Sequence, residues 1–125
     1  MTSQDRRGSF RLDVSVSPAA RLLGIDTSGS WPLSGVLRDL SADGAQLAVL
    51  RSQLQVGQHV RVSFVLDDQQ YHVAAEVRWV RGSRGGLGQS VGVRFEKLLA
   101  AEKTRIVARI AAEQRRQMQS SRAAR

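Results

Sequence analysis

Two neighbouring segments in which apolar residues recur at every second position limit the folds open to this chain. The first, residues 59–66, places its apolar side chains at Val60, Val62, Phe64 and Leu66. The second, residues 71–80, repeats the pattern at Tyr71, Val73, Ala75, Val77 and Trp79. Because side chains alternate between the two faces of a β-strand, each segment is predicted to be a strand that turns this face, including Trp79, toward a core. The polar residues 67–70 between them predict a hairpin loop.

Shorter segments of the same kind surround this hairpin. The further strands are predicted at residues 12–25, where Pro18 interrupts or bends the strand, at 31–40, at 45–49 and at 91–95. Six short strands of this type predict an all-β fold, a six-stranded antiparallel β-barrel. Such a barrel removes its sheet edges by closing, and the turns at one mouth form the natural ligand site.

After Phe95 the period of the apolar residues changes from that of a strand to that of a helix. Leu98, Leu99, Ile106, Val107 and Ile110 fall along one helical stripe. The later part of the chain has too few apolar residues to bury and is expected to fray or remain disordered. We therefore expect a flexible arm at residues 1–10, a barrel at 11–95, a helix at 96–118 and a basic disordered tail at 119–125.

The formal net charge of +8 is concentrated near the C-terminus. Residues 97–125 carry eight Lys or Arg against two Glu, a net +6, and residues 1–96 carry eleven against nine acidic residues, a net +2. This distribution is typical of a solvated helix or a weak electrostatic contact. Aromatic residues make up only 5% of the chain, whereas proteins that bind single strands use aromatic platforms, so DNA and RNA are not expected partners.

Composition also limits the compartment and the chemistry. The chain has no cysteine, which excludes disulfides and thiolate metal sites, and no stretch resembles a signal peptide or a membrane-spanning helix. We therefore expect a soluble cytoplasmic protein. His59 and His72 are the only histidines, and neither has a nucleophile or metal-ligand companion at a useful spacing, so an enzyme is not expected.

Two polar clusters interrupt the strand pattern. One is Asp39-Leu-Ser-Ala-Asp-Gly44, where Asp and Ser side chains can bond nearby backbone and Gly44 can take a positive φ. It is predicted to be a tight turn between two strands that presents a carboxylate and a hydroxyl together. The other is Arg6-Arg7-Gly-Ser-Phe-Arg11, which lies just before the first strand.

In these two clusters the chain resembles the PilZ domain family. Arg7-Gly-Ser-Phe-Arg11 matches the motif R-x-x-x-R, and the turn from Asp39 to Gly44 matches D-x-S-x-x-G, both in the order and strand context of that family. The segments Glu76–Val80 and Val91–Phe95 are similar to its closing strands, and the resemblance covers about residues 5 to 112. It implies a six-stranded barrel with a C-terminal helix that binds the bacterial second messenger cyclic di-GMP, with no enzymatic activity and no cofactor.

The resemblance assigns the grasp of the ligand to Arg7 and Arg11. A guanidinium group can bind phosphate bidentately, stack on a purine or donate to guanine O6 and N7. Arg6 is an additional contact, and in similar domains this position favours an intercalated pair of ligands. The R-x-x-x-R motif is not specific by itself, because Arg105-Ile-Val-Ala-Arg109 also satisfies it on the predicted helix.

The resemblance also implies roles for the turn. Asp39 accepts hydrogen bonds from N1 and N2 of guanine, and Ser41 donates or accepts beside it. Gly44 permits the geometry of the turn.

By the same resemblance the protein is a receptor that signals when its ligand orders the N-terminal arm. The implied output is motility, biofilm formation or exopolysaccharide synthesis. A protein effector would recognise the surface that forms when the arm closes. The basic helix is a candidate contact for that effector or for a homo-oligomer. The alternative for the helix, equally compatible with the sequence, is a basic face exposed to solvent. The alternative is a barrel that acts mainly as a protein–protein or nucleic-acid interaction module.

Overall fold

Seven strands and one helix make up the part of the chain that the computed structural model describes, which is residues 12–13, 20–28, 31–82 and 88–123. The elements are β1 (Leu12–Asp13), β2 (Ala20–Thr27), β3 (Gly35–Leu40), β4 (Gly44–Leu50), β5 (His59–Leu66), β6 (Gln69–Gly82), β7 (Gly88–Phe95) and α1 (Ala100–Ala123). The strands form one sheet in the order β1-β3-β4-β7-β6-β5-β2, and every neighbouring pair is antiparallel.

The six strands β2 to β7 curve into a nearly closed barrel. The line between β2 and the segment before β3, which we call the seam, is bridged at Ile25 and Leu33. The Ile25 amide donates to the Leu33 carbonyl at 3.0 Å, and the Leu33 amide donates to the Ile25 carbonyl at 2.7 Å. The predicted six-stranded antiparallel barrel with a C-terminal helix is therefore confirmed, with the two-residue strand β1 added beside β3.

The prediction of one strand over residues 12–25 is wrong. This stretch contributes two strands with different partners, because β1 pairs with β3 while β2 pairs with β5 at the far end of the strand order. Proline has no amide hydrogen to donate, so a single ladder is not expected to run through Pro18. Residues 14–19 lie outside the described residues, and β2 continues to Thr27, two residues past the predicted end.

The core is built by the alternation that the two long strands show in sequence. All four side chains of β5 predicted to face inward are buried, and so are the first four of β6. The ring of Phe64 stacks on Tyr71 at a centroid distance of 5.3 Å and on Phe95 at 5.8 Å, which joins three strands through one aromatic cluster. Trp79 breaks the pattern and lies outside this core.

The helix begins at Ala100 and is attached to the barrel by its first half. Ile106 and Ile110 are fully buried in the barrel's core cluster. At the N-terminus the backbone amide of Leu99 donates to the Glu102 carboxylate at 3.3 Å, which resembles one half of a capping box. The helix thus supplies the lid of one barrel end.

The helix continues to Ala123, so the predicted helix end at residue 118 and the disordered tail from 119 are corrected. Polar contacts hold the stretch that lacks apolar residues. Glu113 is only 6% exposed and pairs with Arg116 at 2.7 Å, while Arg116 and Arg109 reach the carboxylate of Asp67 in the β5–β6 turn at 3.6 and 3.4 Å. Beyond them, the Gln, Met and Ala residues have adequate helix propensity to extend the element.

Replacement of Ile106 by Ala tests whether the helix and the barrel unfold as one unit. The substitution leaves a cavity at a fully buried site, so we expect the free energy of unfolding to fall by about 2–5 kcal/mol in urea denaturation followed by circular dichroism. Thr104→Ala on the exposed face of the same helix is the control and is expected to leave stability nearly unchanged. Equal stabilities of the two variants would contradict the packing of the helix on the core.

Candidate functional site

A cleft of about 490 Å³ lies on the outer surface of the barrel, between the β3–β4 hairpin and the strand pair β6–β7. Its size falls within the range of small-molecule sites, about 300–1,000 Å³. The lining residues are Asp39, Leu40, Ser41, Asp43, Gly44, Ala45, Gln46, Arg78, Trp79, Gly92, Val93 and Arg94. Every one of them comes from a strand or from the tight turn between β3 and β4, so the walls of the cleft are held by ladder hydrogen bonds.

Two β-bulges place side chains in this cleft. In β3 the register shifts between Leu37 and Asp39, with Arg38 as the extra residue. Leu37 faces the core, and without the shift Asp39 would face it too; the extra residue turns Asp39 to the outer face. Bulges of this kind commonly redirect a side chain next to a functional site.

The second bulge does the same in β6. The register shifts between Val77 and Trp79, with Arg78 as the extra residue. Val77 is fully buried, and Trp79 pairs with Gly92, whose neighbours on β7 face the core. Trp79 therefore lies on the outer face and is half-buried, which corrects the prediction that it belongs to the core.

Together the bulges align four residues in one row across four strands. Asp39 of β3 is opposite Gln46 of β4, Gln46 is opposite Gly92 of β7, and Gly92 is opposite Trp79 of β6. All four line the cleft. The row carries a carboxylate at one end, an amide in the middle and an indole at the other end, which together can recognise a flat, polar-edged ligand.

The indole of Trp79 packs against Gly92. A Cβ atom at this position would clash with the Nε1, Cε2 and Cδ1 atoms of Trp79, so the ring lies directly over the glycine. Two residues further along β6, the guanidinium of Arg81 lies over the same ring, 5.5 Å from its centroid and within the range of a cation–π contact. The indole thus rests on Gly92 and contacts the guanidinium of Arg81.

The turn from Ser41 to Gly44 is closed by its own hydroxyl group. The Ser41 amide donates to the Gly44 carbonyl at 2.9 Å, and the Ser41 Oγ accepts from the amides of Asp43 and Gly44 at 3.3 and 3.2 Å. This pattern is a Ser turn, in which the side chain substitutes for backbone. Ser41 therefore shapes the edge of the cleft by holding the turn.

Gly44 is required for a different reason from the one expected. Its φ is not positive; a Cβ atom there would instead clash with the backbone carbonyl oxygen of Val93 on β7. The absence of a side chain lets β4 approach β7 closely at the point where the cleft begins.

The charges of the cleft are separated between its two sides. Asp39 and Asp43 lie on the hairpin side, and Arg78 and Arg94 lie on the β6–β7 side. Asp43 is engaged by Lys103 of α1, with Oδ1 and Nζ 3.0 Å apart. One oxygen of the Asp39 carboxylate is shielded from solvent. The site is thus polarised, with an acidic edge and a basic edge.

The residues predicted from sequence divide into two groups. Asp39, Ser41 and Gly44 are brought together at one edge of the cleft. Arg6, Arg7 and Arg11 lie outside the described residues. Sequence reasoning missed the other wall, formed by Gln46, Arg78, Trp79, Gly92 and Arg94. The matching segments 76–80 and 91–95 contain most of it, but strict alternation assigned Trp79 to the interior.

The two histidines lie apart from the cleft residues described above. Within the described residues there is no group of three or more His, Asp or Glu side chains that could hold a metal ion. His59 pairs with Glu96 at 3.0 Å and His72 with Ser63 at 2.8 Å, and neither pair lines the cleft.

A search of the described residues for membrane spans finds no helix that combines the length and the apolar character needed to cross a bilayer.

The arrangement is a six-stranded barrel with a cleft beside a hairpin on its outer wall. The sequence model of the PilZ domain matches residues 5–112, and the chain belongs to this family. A comparison with curated proteins finds no match.

Solved structures share the fold at low sequence identity. The PilZ domain of YcgR from Escherichia coli with c-di-GMP has a TM-score of 0.66 at 15% identity, and the match covers 89% of this chain and 93% of that one. YcgR from Escherichia coli in complex with c-di-GMP has a TM-score of 0.71 at 16% identity, covering 92% of this chain and 49% of that one. The Bacillus subtilis inhibitor of motility, MotI/DgrA, has a TM-score of 0.66 at 17% identity, covering 87% and 50%. The chain thus spans about half the length of two of these neighbours.

A methyl group added at Gly92 is expected to displace the indole of Trp79. In a Trp31→Phe background, which removes the other tryptophan, Gly92→Ala should red-shift the emission of Trp79 and increase its quenching by acrylamide. Gly82→Ala is the matched control, since a Cβ atom there meets no atom within 4 Å and should change neither quantity. Identical spectra for the two variants would show that the ring does not rest on Gly92.

Proposed function

We propose that this protein binds cyclic di-GMP in the cleft and acts as a receptor for that messenger. The observation that carries the proposal is the row from Asp39 to Trp79, which meets the turn of the D-x-S-x-x-G motif in one cleft. Membership of the PilZ family and the presence of c-di-GMP in the YcgR structures support the choice of ligand.

The chemistry of the cleft suits the parts of this ligand. A carboxylate accepts two donors side by side, so Asp39 takes the N1 and N2 hydrogens of a guanine. The indole of Trp79 offers a flat face on which a purine stacks. Ser41 and Gly44 contribute by fixing the turn that carries Asp39 to the edge of the cleft.

The arm completes the site in this proposal. Asp13 of β1 is opposite Asp39, and Leu12 is opposite Leu40, so the chain that follows Arg11 is fastened next to the cleft. Arg7 and Arg11 then grasp the ligand from the segment that precedes β1, and Arg6 adds a contact that favours an intercalated pair of ligands. Ordering five or six residues costs about 5–12 kcal/mol, at about 1–2 kcal/mol each. Charge-assisted hydrogen bonds at about 1.5–3 kcal/mol offset this only when several form together.

Closure of the arm is the signal. The ligand must bind the closed state more tightly than the open one to shift the population, and several arginine contacts made only on closure supply that difference. The new surface is read by a protein effector in the cytoplasm, and its output is motility, biofilm formation or exopolysaccharide synthesis. The name of MotI as an inhibitor of motility supports the first of these outputs.

Removal of either arginine of the motif is expected to abolish binding. For Arg7→Ala and Arg11→Ala we expect no detectable heat in calorimetric titration with cyclic di-GMP and an unchanged circular dichroism spectrum. The reason is that, after the loss of one arginine, the remaining contacts no longer offset the entropy cost of ordering the arm.

Arg105→Ala is the matched control for these variants, because Arg105 begins the second R-x-x-x-R sequence but lies exposed on α1. It should bind as the unchanged chain does. Affinity close to that of the unchanged chain in either arm variant would contradict the assignment of Arg7 and Arg11.

A receptor returns its ligand intact, whereas an enzyme does not. After prolonged incubation of the protein with cyclic di-GMP, we expect chromatography of the nucleotide to recover the cyclic form alone. Appearance of a linear dinucleotide or of a mononucleotide above the level in a protein-free control would show hydrolysis and contradict a purely receptor role.

A further inference from the structure

We infer that Arg78 and Arg94, which belong to neither sequence motif, form a phosphate-binding subsite on the β6–β7 side of the cleft. This inference rests on the proposed function and deepens it, because it assigns where one phosphate of the cyclic dinucleotide lies. The subsite belongs to the barrel wall and not to the arm.

The position of Arg94 leaves its guanidinium open to the cleft. Arg94 lies on β7 opposite Gly44 on one side and Glu76 on the other, in the outward row next to the row of Asp39 and Trp79. Gly44 has no side chain to cover it, and the side chain of Arg94 is exposed. Within the residues that the structure describes, Arg94 forms no ion pair. Its charge is therefore available to a ligand.

Arg78 also lines the cleft. It is the extra residue in the bulge of β6. Its Nη1 atom lies 3.4 Å from Oε1 of Glu76, with side-chain exposures of 54% and 30%. A pair of this length at a solvated surface is weak, so Arg78 can exchange it for a phosphate without a large loss. Before a phosphate binds, the ion pair with Glu76 keeps the guanidinium of Arg78 beside the cleft.

The charge separation of the cleft sets the orientation of an anionic guanine ligand. The hairpin edge carries Asp39, which repels a phosphate and attracts the donor edge of guanine, while Asp43 on the same edge is paired with Lys103. The opposite edge carries two guanidinium groups, each of which can bind two phosphate oxygens at once. A ligand with two guanines and two phosphates is accommodated when a base faces the hairpin and a phosphate faces β6–β7.

The backbone that carries the subsite is already ordered. Both arginines project from strands whose backbones are fixed in ladders, so their contact with phosphate requires no ordering of the N-terminal arm. They hold the ligand from the rigid side, and the arm arginines close from the other.

Calorimetry with cyclic di-GMP on full-length single variants tests the subsite. Loss of one charge-assisted contact should weaken binding about tenfold to hundredfold in Arg78→Ala and in Arg94→Ala. Arg61→Ala is the matched control: Arg61 is an exposed arginine on the outer face of β5 that does not line the cleft, so its removal changes the net charge equally. Thermal denaturation and circular dichroism should match among the three variants.

The dependence of affinity on potassium chloride separates a charge contact from a structural effect. Because salt screens an ionic contact, the unchanged chain and Arg61→Ala should lose affinity with rising salt more steeply than Arg94→Ala does. Weakened binding in Arg78→Ala and Arg94→Ala together with this shallower dependence would support the subsite. Binding in both variants equal to that of Arg61→Ala, while the unchanged chain binds, would overturn the subsite and leave the proposed function standing. Failure of the unchanged chain to bind would overturn both.

Discussion

The two β-bulges are the constraint on which the candidate site depends. In a regular strand Asp39 would share the inward face of Leu37, and Trp79 would share that of Val77. A carboxylate in the barrel core would need partners or lose its charge, and an indole there would compete with the stacked rings around Phe64 for space. One extra residue in each strand moves both side chains to the outside, where they stand at the two ends of a single cross-strand row. The interior keeps its aliphatic packing, and the surface gains a cleft.

The predictable part of this protein is the part that obeys a period. Residues 59–66 and 71–77 alternate except at Val65, which is apolar and buried, and at Ala74, so their strands, their hairpin and most of their buried faces follow from the pleat alone. The turn at Asp39 to Gly44 was identified because its residue types are those that close turns, and the hydroxyl of Ser41 does so. The number and spacing of the short strands also predict an antiparallel barrel, in agreement with the family resemblance.

The errors arise where a non-local contact overrides a local pattern. Nothing in the residues around Trp79 marks the bulge, because the shift is defined by the partner strand, where Gly92 leaves room for the ring. The split of the first strand likewise depends on β1 and β2 finding different partners. The helix continues past its apolar stripe, where Arg109 and Arg116 contact Asp67 in a turn far away in sequence. Each error therefore concerns a residue whose partner lies far away along the chain.

The seam between β2 and β3 has a mechanical consequence. All other neighbouring strands of the barrel are joined by ladders of five or more residue pairs, whereas within the described residues the seam is joined by one bridge, that of Ile25 and Leu33. The barrel wall is therefore a curved sheet whose two edges meet at this bridge. The part of the wall with the fewest backbone hydrogen bonds thus lies between β2 and the start of β3, whereas at Asp39 and Leu40 the same edge of β3 is paired with β1.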